Sequence, residues 1–331
     1  MAKPAQHSSL WHLWHQVFTD LFRMIGVLGR ELSSTRGRWL VMALPLLWLV
    51  AFFLVPFLLV FKISFASAMT GVQPPYSDML GAAEDGALTL RLAIASYQLL
   101  LNDSLYVSAY LNSLVFASVS TLGCLLIGYP IAYGIARATP TTRAILLVLV
   151  ILPFWTSSLL RSYALIGILR SNGLLNQLLL GLGVIDQPLQ ILHTNLAVYI
   201  GIIYNYLPFM ILPLTANLMR MDFTLLEAAA DLGARPAIAF ARITLPLSLP
   251  GIVAGSLLVF IPAVGEFVIP DLLGGPDALT IGRVIWTEFF SNRDWPTASA
   301  VAIAMLALIV IPMLIFEWVQ DKRLASGAER T

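Results

Sequence analysis

Charge is what this sequence has least of. Only 11% of its 331 residues are Asp, Glu, Lys or Arg, against about 25% in an ordinary soluble domain, while 59% are hydrophobic. That shortage excludes a water-soluble globular protein. The net charge of +1 offers no basic surface for nucleic acid. The single cysteine, Cys124, lies in an apolar run, which excludes an intrachain disulfide, and no metal-ligand spacing surrounds it. His7, His12, His15 and His193 show no H-E-x-x-H or other ligand pattern, and no Ser or Cys has a catalytic setting. There is no G-x-x-x-x-G-K-S/T, and no Gly-Lys pair at all, so the chain lacks a nucleotide-binding P-loop. No catalytic residue, metal or bound cofactor is expected, and an enzyme is a poor reading.

What is present is length without charge. A spanning helix needs about 20 apolar residues. The intervals Arg38–Lys62, Asp103–Arg137, Arg143–Arg161, Asp186–Arg220, Arg242–Glu266 and Asp294–Glu317 enclose 23, 33, 17, 33, 23 and 22 uncharged residues. These predict an all-α polytopic membrane protein with six transmembrane helices. The interval Arg170–Asp186 is shorter and carries Gly and Asn, so it reads as an interfacial segment on the outer side. With the N-terminus inside, 13 Lys and Arg fall in the cytoplasm and 6 outside. The positive-inside rule then places both termini in the cytoplasm. Residues 1–38 carry no signal-peptide pattern. Within them, Leu10, Leu13, Trp14, Val17, Phe18, Leu21, Met24, Ile25 and Leu28 recur at helical spacing, predicting an amphipathic helix on the inner membrane surface. The six-helix membrane body runs over 39–320 and a cytoplasmic tail over 321–331.

Between the fourth and fifth spans, residues 222–248 form a cytoplasmic loop that contains "EAAADLGARPAIAFARITLP". Thr224 and Glu227 have capping-box spacing. The Ala-rich run through Asp231 favours helix, Gly233 stops it as a C′ glycine, and Pro236 suits the first turn of a second helix. Leu245-Pro246 is expected to close that second helix before the fifth span. The expected product is two short helices with an elbow, small-faced because alanine projects little.

Seven positions fix the spacing: Glu227, Ala228, Ala229, then Gly233, then Ile243, Leu245 and Pro246. This resembles the EAA loop of ABC importer permeases. "FIPAVGEFVIPDLLGGPDALTIGRVIW" (Phe260–Trp286), "NRDWPTASAVAI" (Asn292–Ile303), "GVIDQPLQILHTNLAVYIGIIYNYLPFMILP" (Gly183–Pro213), "PFLLVFKISF" and "LLIGYPIAY" narrow it. Over roughly residues 40–320 the chain is similar to polyamine importer permeases of the spermidine/putrescine family, closest to the putrescine type. The resemblance implies a type I ABC importer permease fold in the bacterial inner membrane. It implies a heterodimer with a second homologous permease. It implies two copies of a cytoplasmic ABC ATPase that use ATP and Mg, and a periplasmic polyamine-binding protein. In that family the loop is the coupling helix, which makes Glu227, Ala228, Ala229, Asp231, Gly233, Arg235, Pro236, Ile243, Leu245 and Pro246 the ATPase-coupling candidates.

A polyammonium substrate needs carboxylates and aromatic faces on its path. Glu266, among apolar residues at the end of the fifth span, is the leading candidate. Its alternative role is a structural hydrogen bond near the outer interface. Trp155, Tyr163, Tyr204, Tyr206 and Trp286 are candidate ring faces, although each taken alone reads as a belt or packing residue. Asp271 stands with Asp277, Glu288 and Asp294 near the outer mouth. Gly251-x-x-x-Gly255 predicts close helix packing, and Pro153, Pro208 and Pro213 predict kinks or early ends in the third and fourth spans. Rival readings remain open here: a permease for another ABC importer cargo, such as ferric iron or sulfate, a secondary transporter or channel, and a membrane scaffold with no transport role.

Overall fold

The computed structural model describes residues 36–69, 71–77, 80–82, 88–90 and 92–328. The expected amphipathic helix over 10–28 lies outside them. The chain divides into two compact units, Met1–Lys62 and Ile63–Thr331.

The first unit carries the first expected span. Helix α1 (Arg36–Leu49) passes through a π turn (Val50–Leu54) into α2 (Val55–Ile63). No side chain of its apolar window Met42–Ile63 is buried. An apolar helix with no buried face offers its whole circumference to lipid or to another protein.

The second unit opens on a short antiparallel pair, β1 (Leu80–Ala82) and β2 (Leu88–Leu90). The rest is helical: α3 (Ala95–Asn102), α4 (Ser104–Arg137), α5 (Pro140–Ile151), α6 (Ser158–Leu169), α7 (Leu174–Gly181), α8 (Asn195–Leu218), α9 (Thr224–Asp231), α10 (Pro236–Ala239), α11 (Leu245–Val264), α12 (Val268–Leu273), α13 (Ile281–Trp286) and α14 (Trp295–Ala328). Helices α4, α8 and α11 form the packed centre. One apolar cluster between them holds Cys124, Tyr129, Met210, Leu214 and Val259. A second, around Phe116, Val198, Ile202, Val264 and Leu273, ties α12 to α8.

Lipid is as apolar as leucine, so these helices associate by close contact and polar ties. Gly251 and Gly255 provide the contact. A Cβ at Gly251 would stand 2.7 Å from Asn217 Cβ, and one at Gly255 would stand 2.8 Å from Met210 Sδ and 3.1 Å from the Met210 carbonyl. The small-residue reading therefore holds, with α8 as the partner. Gly255→Val is expected to destabilise the purified permease by about 1–3 kcal/mol through overpacking, read as a lowered melting temperature in detergent; an unchanged melting point would contradict the α8–α11 contact. Polar ties join the loop end of α4 to the C-terminal segments. Ser113 Oγ accepts the buried Ile281 N–H at 2.8 Å, and the Tyr110 hydroxyl donates to the Val301 carbonyl at 2.7 Å.

Six spans were expected. Among the described residues four helices are long and apolar enough to cross a membrane: Met42–Ile63, Ser104–Arg137, Asn195–Leu218 and Pro236–Val264. The third expected span is not one straight helix. Pro140–Trp155 and Ser158–Gly181 meet at 91°, and count as a fifth crossing only if they are taken together. Pro153 explains the break. It sits in a 3-10 turn (Leu152–Trp155), it cannot donate a backbone hydrogen bond, and Thr156 turns back on the Pro153 carbonyl through its N–H and its hydroxyl. The expected interfacial segment after Arg170 contains α7. The sixth expected span falls on α14, whose described apolar stretch is the shorter Trp295–Ile311.

Pro208 and Pro213 do not end α8, which runs unbroken through both. Nor does Pro246 close the helix before it. From Pro236 the chain stays helical to Val264 through a π turn, Phe240–Thr244, where Leu245 N–H donates to the Phe240 carbonyl. A proline ring clashes with the carbonyl four residues back. For Pro246 that residue is Arg242, inside the widened turn, which makes room for the ring. Pro56 follows the π turn Val50–Leu54 in the same way.

Candidate functional site

The elbow is built from local rules. Helix α9 starts at Thr224, but the expected Thr224–Glu227 capping box does not form. Asp222 takes its place: Oδ1 accepts the Thr224 N–H at 3.0 Å and the Thr224 hydroxyl at 2.8 Å. A carboxylate that accepts two bonds at a helix start is a better cap than a hydroxyl already committed elsewhere. The side-chain and backbone hydrogen bonds from Thr224 hold the Asp222 carboxyl below the usual range. Helix α9 ends as predicted at Gly233, with φ +77°. Gly233 N–H donates to the Ala230 carbonyl at 2.8 Å, and Ala234 N–H to the Ala229 carbonyl at 2.9 Å. These two bonds are a Schellman close. Pro236 then opens α10, with Arg235 at the cap.

The elbow rests on α4 and α11. A groove of about 360 Å³ is lined by Tyr133, Arg137, Phe223, Glu227, Ala230 and Pro236, among others. The Arg137 guanidinium lies over both the Tyr133 and the Phe223 rings, at 5.6 and 5.8 Å. Tyr129 meets Phe240 edge to face and bonds Ser248 Oγ at 2.9 Å. Away from the groove the elbow is free in the chain: Ala228, Asp231 and Arg235 are exposed, and Leu232 is 89% exposed, while Glu227 and Pro236 line the groove at its exposed rim. Ile243, Leu245 and Pro246 belong to the continuous helix instead. That helix spans 29 residues, on the order of 40 Å, and ends at Val264, two residues before Glu266.

At its far end is a second cavity, of about 480 Å³, lined by residues of α6, α8 and the α11–α12 junction. Glu266 is its acid. Oε2 accepts the Tyr206 hydroxyl at 2.6 Å, and Oε1 accepts Val268 N–H at 3.0 Å and Ile269 N–H at 3.3 Å. The carboxylate thus caps α12, where a helix start favours negative charge. Phe154, Phe209 and Phe267 supply ring faces, and Arg161 and Asn205 line the same space.

Of the seven pathway candidates, the structure brings Glu266 and Tyr206 together. Trp286 is one ring removed, stacked at 4.8 Å on Phe267. Asp271 pairs with Arg283 at 3.1 Å outside the cavity. Tyr204, Tyr163 and Trp155 do not enter the cavity and are exposed in the chain. Helical phase explains the tyrosines: two residues along a helix is a turn of about 200°, so Tyr204 cannot share a face with Tyr206, nor Tyr163 with Arg161. Asn205, Tyr206 and Phe209 do share a face, a signal present in the sequence but not used. Arg161 was counted only as the boundary of a span.

A family model for "Binding-protein-dependent transport system inner membrane component" matches residues 124–325. The chain belongs to that family. It is 42% identical over 288 residues to the spermidine/putrescine transport system permease protein PotB of Haemophilus influenzae, covering 86% of this chain and 95% of the relative. It is 41% identical over 269 residues to PotB of Escherichia coli K12, covering 81% and 92%. In fold, the permease is similar to a chain of a bacterial ABC transporter involved in the import of the acidic polysaccharide alginate, with a TM-score of 0.64 at 18% identity, covering 91% of this chain and 99% of that one. The fold is therefore that of a type I ABC importer permease. The permease is a transport subunit of the bacterial inner membrane, and the secondary-transporter reading falls away.

Proposed function

We propose that this permease forms half of the translocation pathway of an ATP-driven polyamine importer. The observation that carries it is the Glu266 carboxylate in a cavity walled by Phe154, Tyr206, Phe209 and Phe267. Ammonium groups are recognised by that chemistry: one anion, with ring faces around it. The identity to spermidine/putrescine permeases across most of their length supports the same cargo over ferric iron or sulfate. A second homologous permease completes the pathway, and the exposed Trp155, Tyr163 and Tyr204 are available to face it or the lipid. A periplasmic polyamine-binding protein delivers the substrate. Two cytoplasmic ATPase subunits use ATP and Mg and seat against the elbow.

The mechanism in this chain is mechanical. A push on α9 and α10 reaches the membrane through the continuous helix Pro236–Val264, which ends two residues before Glu266. The rings of Phe223 and Tyr133 around Arg137 carry the same displacement to α4. The test is uptake of labelled putrescine and spermidine by the complete importer in proteoliposomes. ATP-dependent accumulation of either polyamine is expected. Accumulation of iron or sulfate instead, or uptake driven by a proton gradient without ATP, would overturn the proposal.

A further inference from the structure

The cavity that holds Glu266 also holds a cation of its own. Arg161 is only 9% exposed, and its Nε and Nη1 are buried with no hydrogen-bond partner. Its guanidinium carbon lies 5.5 Å from the centre of the Phe154 ring. Asn205 Oδ1, on the same cavity wall, is also buried and unpartnered. A buried guanidinium with two of its nitrogens unsatisfied is costly. Among the residues lining the cavity, Glu266 is the one acid. In the state described here it is held instead by Tyr206 and by the start of α12.

Resting on the pathway reading above, we infer that Arg161 is a tethered cation that competes with the substrate's ammonium group for the Phe154 face and the Glu266 carboxylate. It is a specificity-determining residue, because it touches the space the substrate would occupy. The empty site is then never without a cation. A substrate ammonium that enters must displace the guanidinium from the ring, and it gains Glu266 and the free Asn205 Oδ1 in exchange. The displaced Arg161 repels the bound ammonium, so retention is weak and release is fast. A site made only of a carboxylate and rings would bind tighter and turn over more slowly, since binding without release does not transport.

The consequence is a split between affinity and turnover. In Arg161→Met the stem still fills its place but the charge is gone. Labelled putrescine is expected to bind the purified permease–ATPase complex, prepared without the binding protein, about five- to tenfold more tightly, the scale of a typical site coupling. The kcat of uptake by the complete importer is expected to fall. Arg161→Lys keeps the charge but not the planar guanidinium over Phe154, so its putrescine affinity is expected to fall between wild type and the methionine variant. Unchanged or weaker binding by the methionine variant, at matched assembly, would overturn the inference. If that variant does not assemble, Arg161→Gln carries the test: it loses the charge but keeps a polar end on the cavity wall, and unchanged or weaker putrescine binding there overturns the inference. E266Q separates the two levels. If E266Q alone leaves binding and uptake untouched, the pathway reading fails. If E266Q impairs both while R161M leaves affinity unchanged, only the tethered cation fails.

Discussion

Gly233→Asp is expected to abolish substrate-stimulated ATPase activity in the assembled importer while leaving the permease in the membrane. The reason is a strained turn that also carries a misplaced charge. Gly233 sits at φ +77°, where a side chain strains the backbone by roughly 1–2 kcal/mol. A Cβ added there meets nothing within 4 Å in this chain, so the substitution does not disturb the core. Relief of the strain requires a changed turn, and the Schellman bonds of Gly233 and Ala234 are what set the angle between α9 and α10. The new carboxylate also stands at the C-terminal end of α9, the wrong end of the helix dipole for an anion. Gly233→Asn is the matched control. It has nearly the same shape and the same tolerance of the left-handed region as Asp but carries no charge, so it isolates the electrostatic part of the effect. It is expected to keep much of the coupling. Wild-type coupling in Gly233→Asp would refute the elbow as the ATPase seat.

Glu266→Gln is expected to reduce uptake efficiency by about ten- to a hundredfold, the size of a lost charge-assisted interaction. The amide retains an acceptor for Val268 and Ile269 N–H, so the cap of α12 and the local fold survive. What goes is the negative charge in a cavity otherwise lined by rings, amide, hydroxyls and a cation. An ionisable group in a membrane segment is expensive and is a functional candidate by default. If the role of Glu266 were only to cap α12, the glutamine variant would import putrescine like wild type at matched expression. Tyr206→Phe removes the 2.6 Å bond to Oε2 and leaves the charge, so its loss should be the smaller of the two.

The elbow was legible almost to the residue, because caps and turns are set by neighbours a few positions apart. Gly233 and Pro236 did in the structure what their chemistry dictates. At the cap, Asp222 outcompetes the Thr224–Glu227 pair. The proline at 246 misled for a different reason: a π turn costs little when it relieves a ring clash, and no residue type marks it in advance. The break at Pro153 was written in the sequence as a kink, but the 91° turn that follows was not.

Charge spacing was enough to mark a helical membrane protein, and Gly233 and Pro236 were enough to mark a helical elbow after Asp222. Only the tertiary structure decided which residues meet around Glu266. A membrane helix is apolar on every side, so the sequence has no contrast to say which face turns inward. Packing of α8 on α11 turned Tyr206 in and Tyr204 out, and the broken third helix brought Arg161 from the edge of a span into the cavity wall.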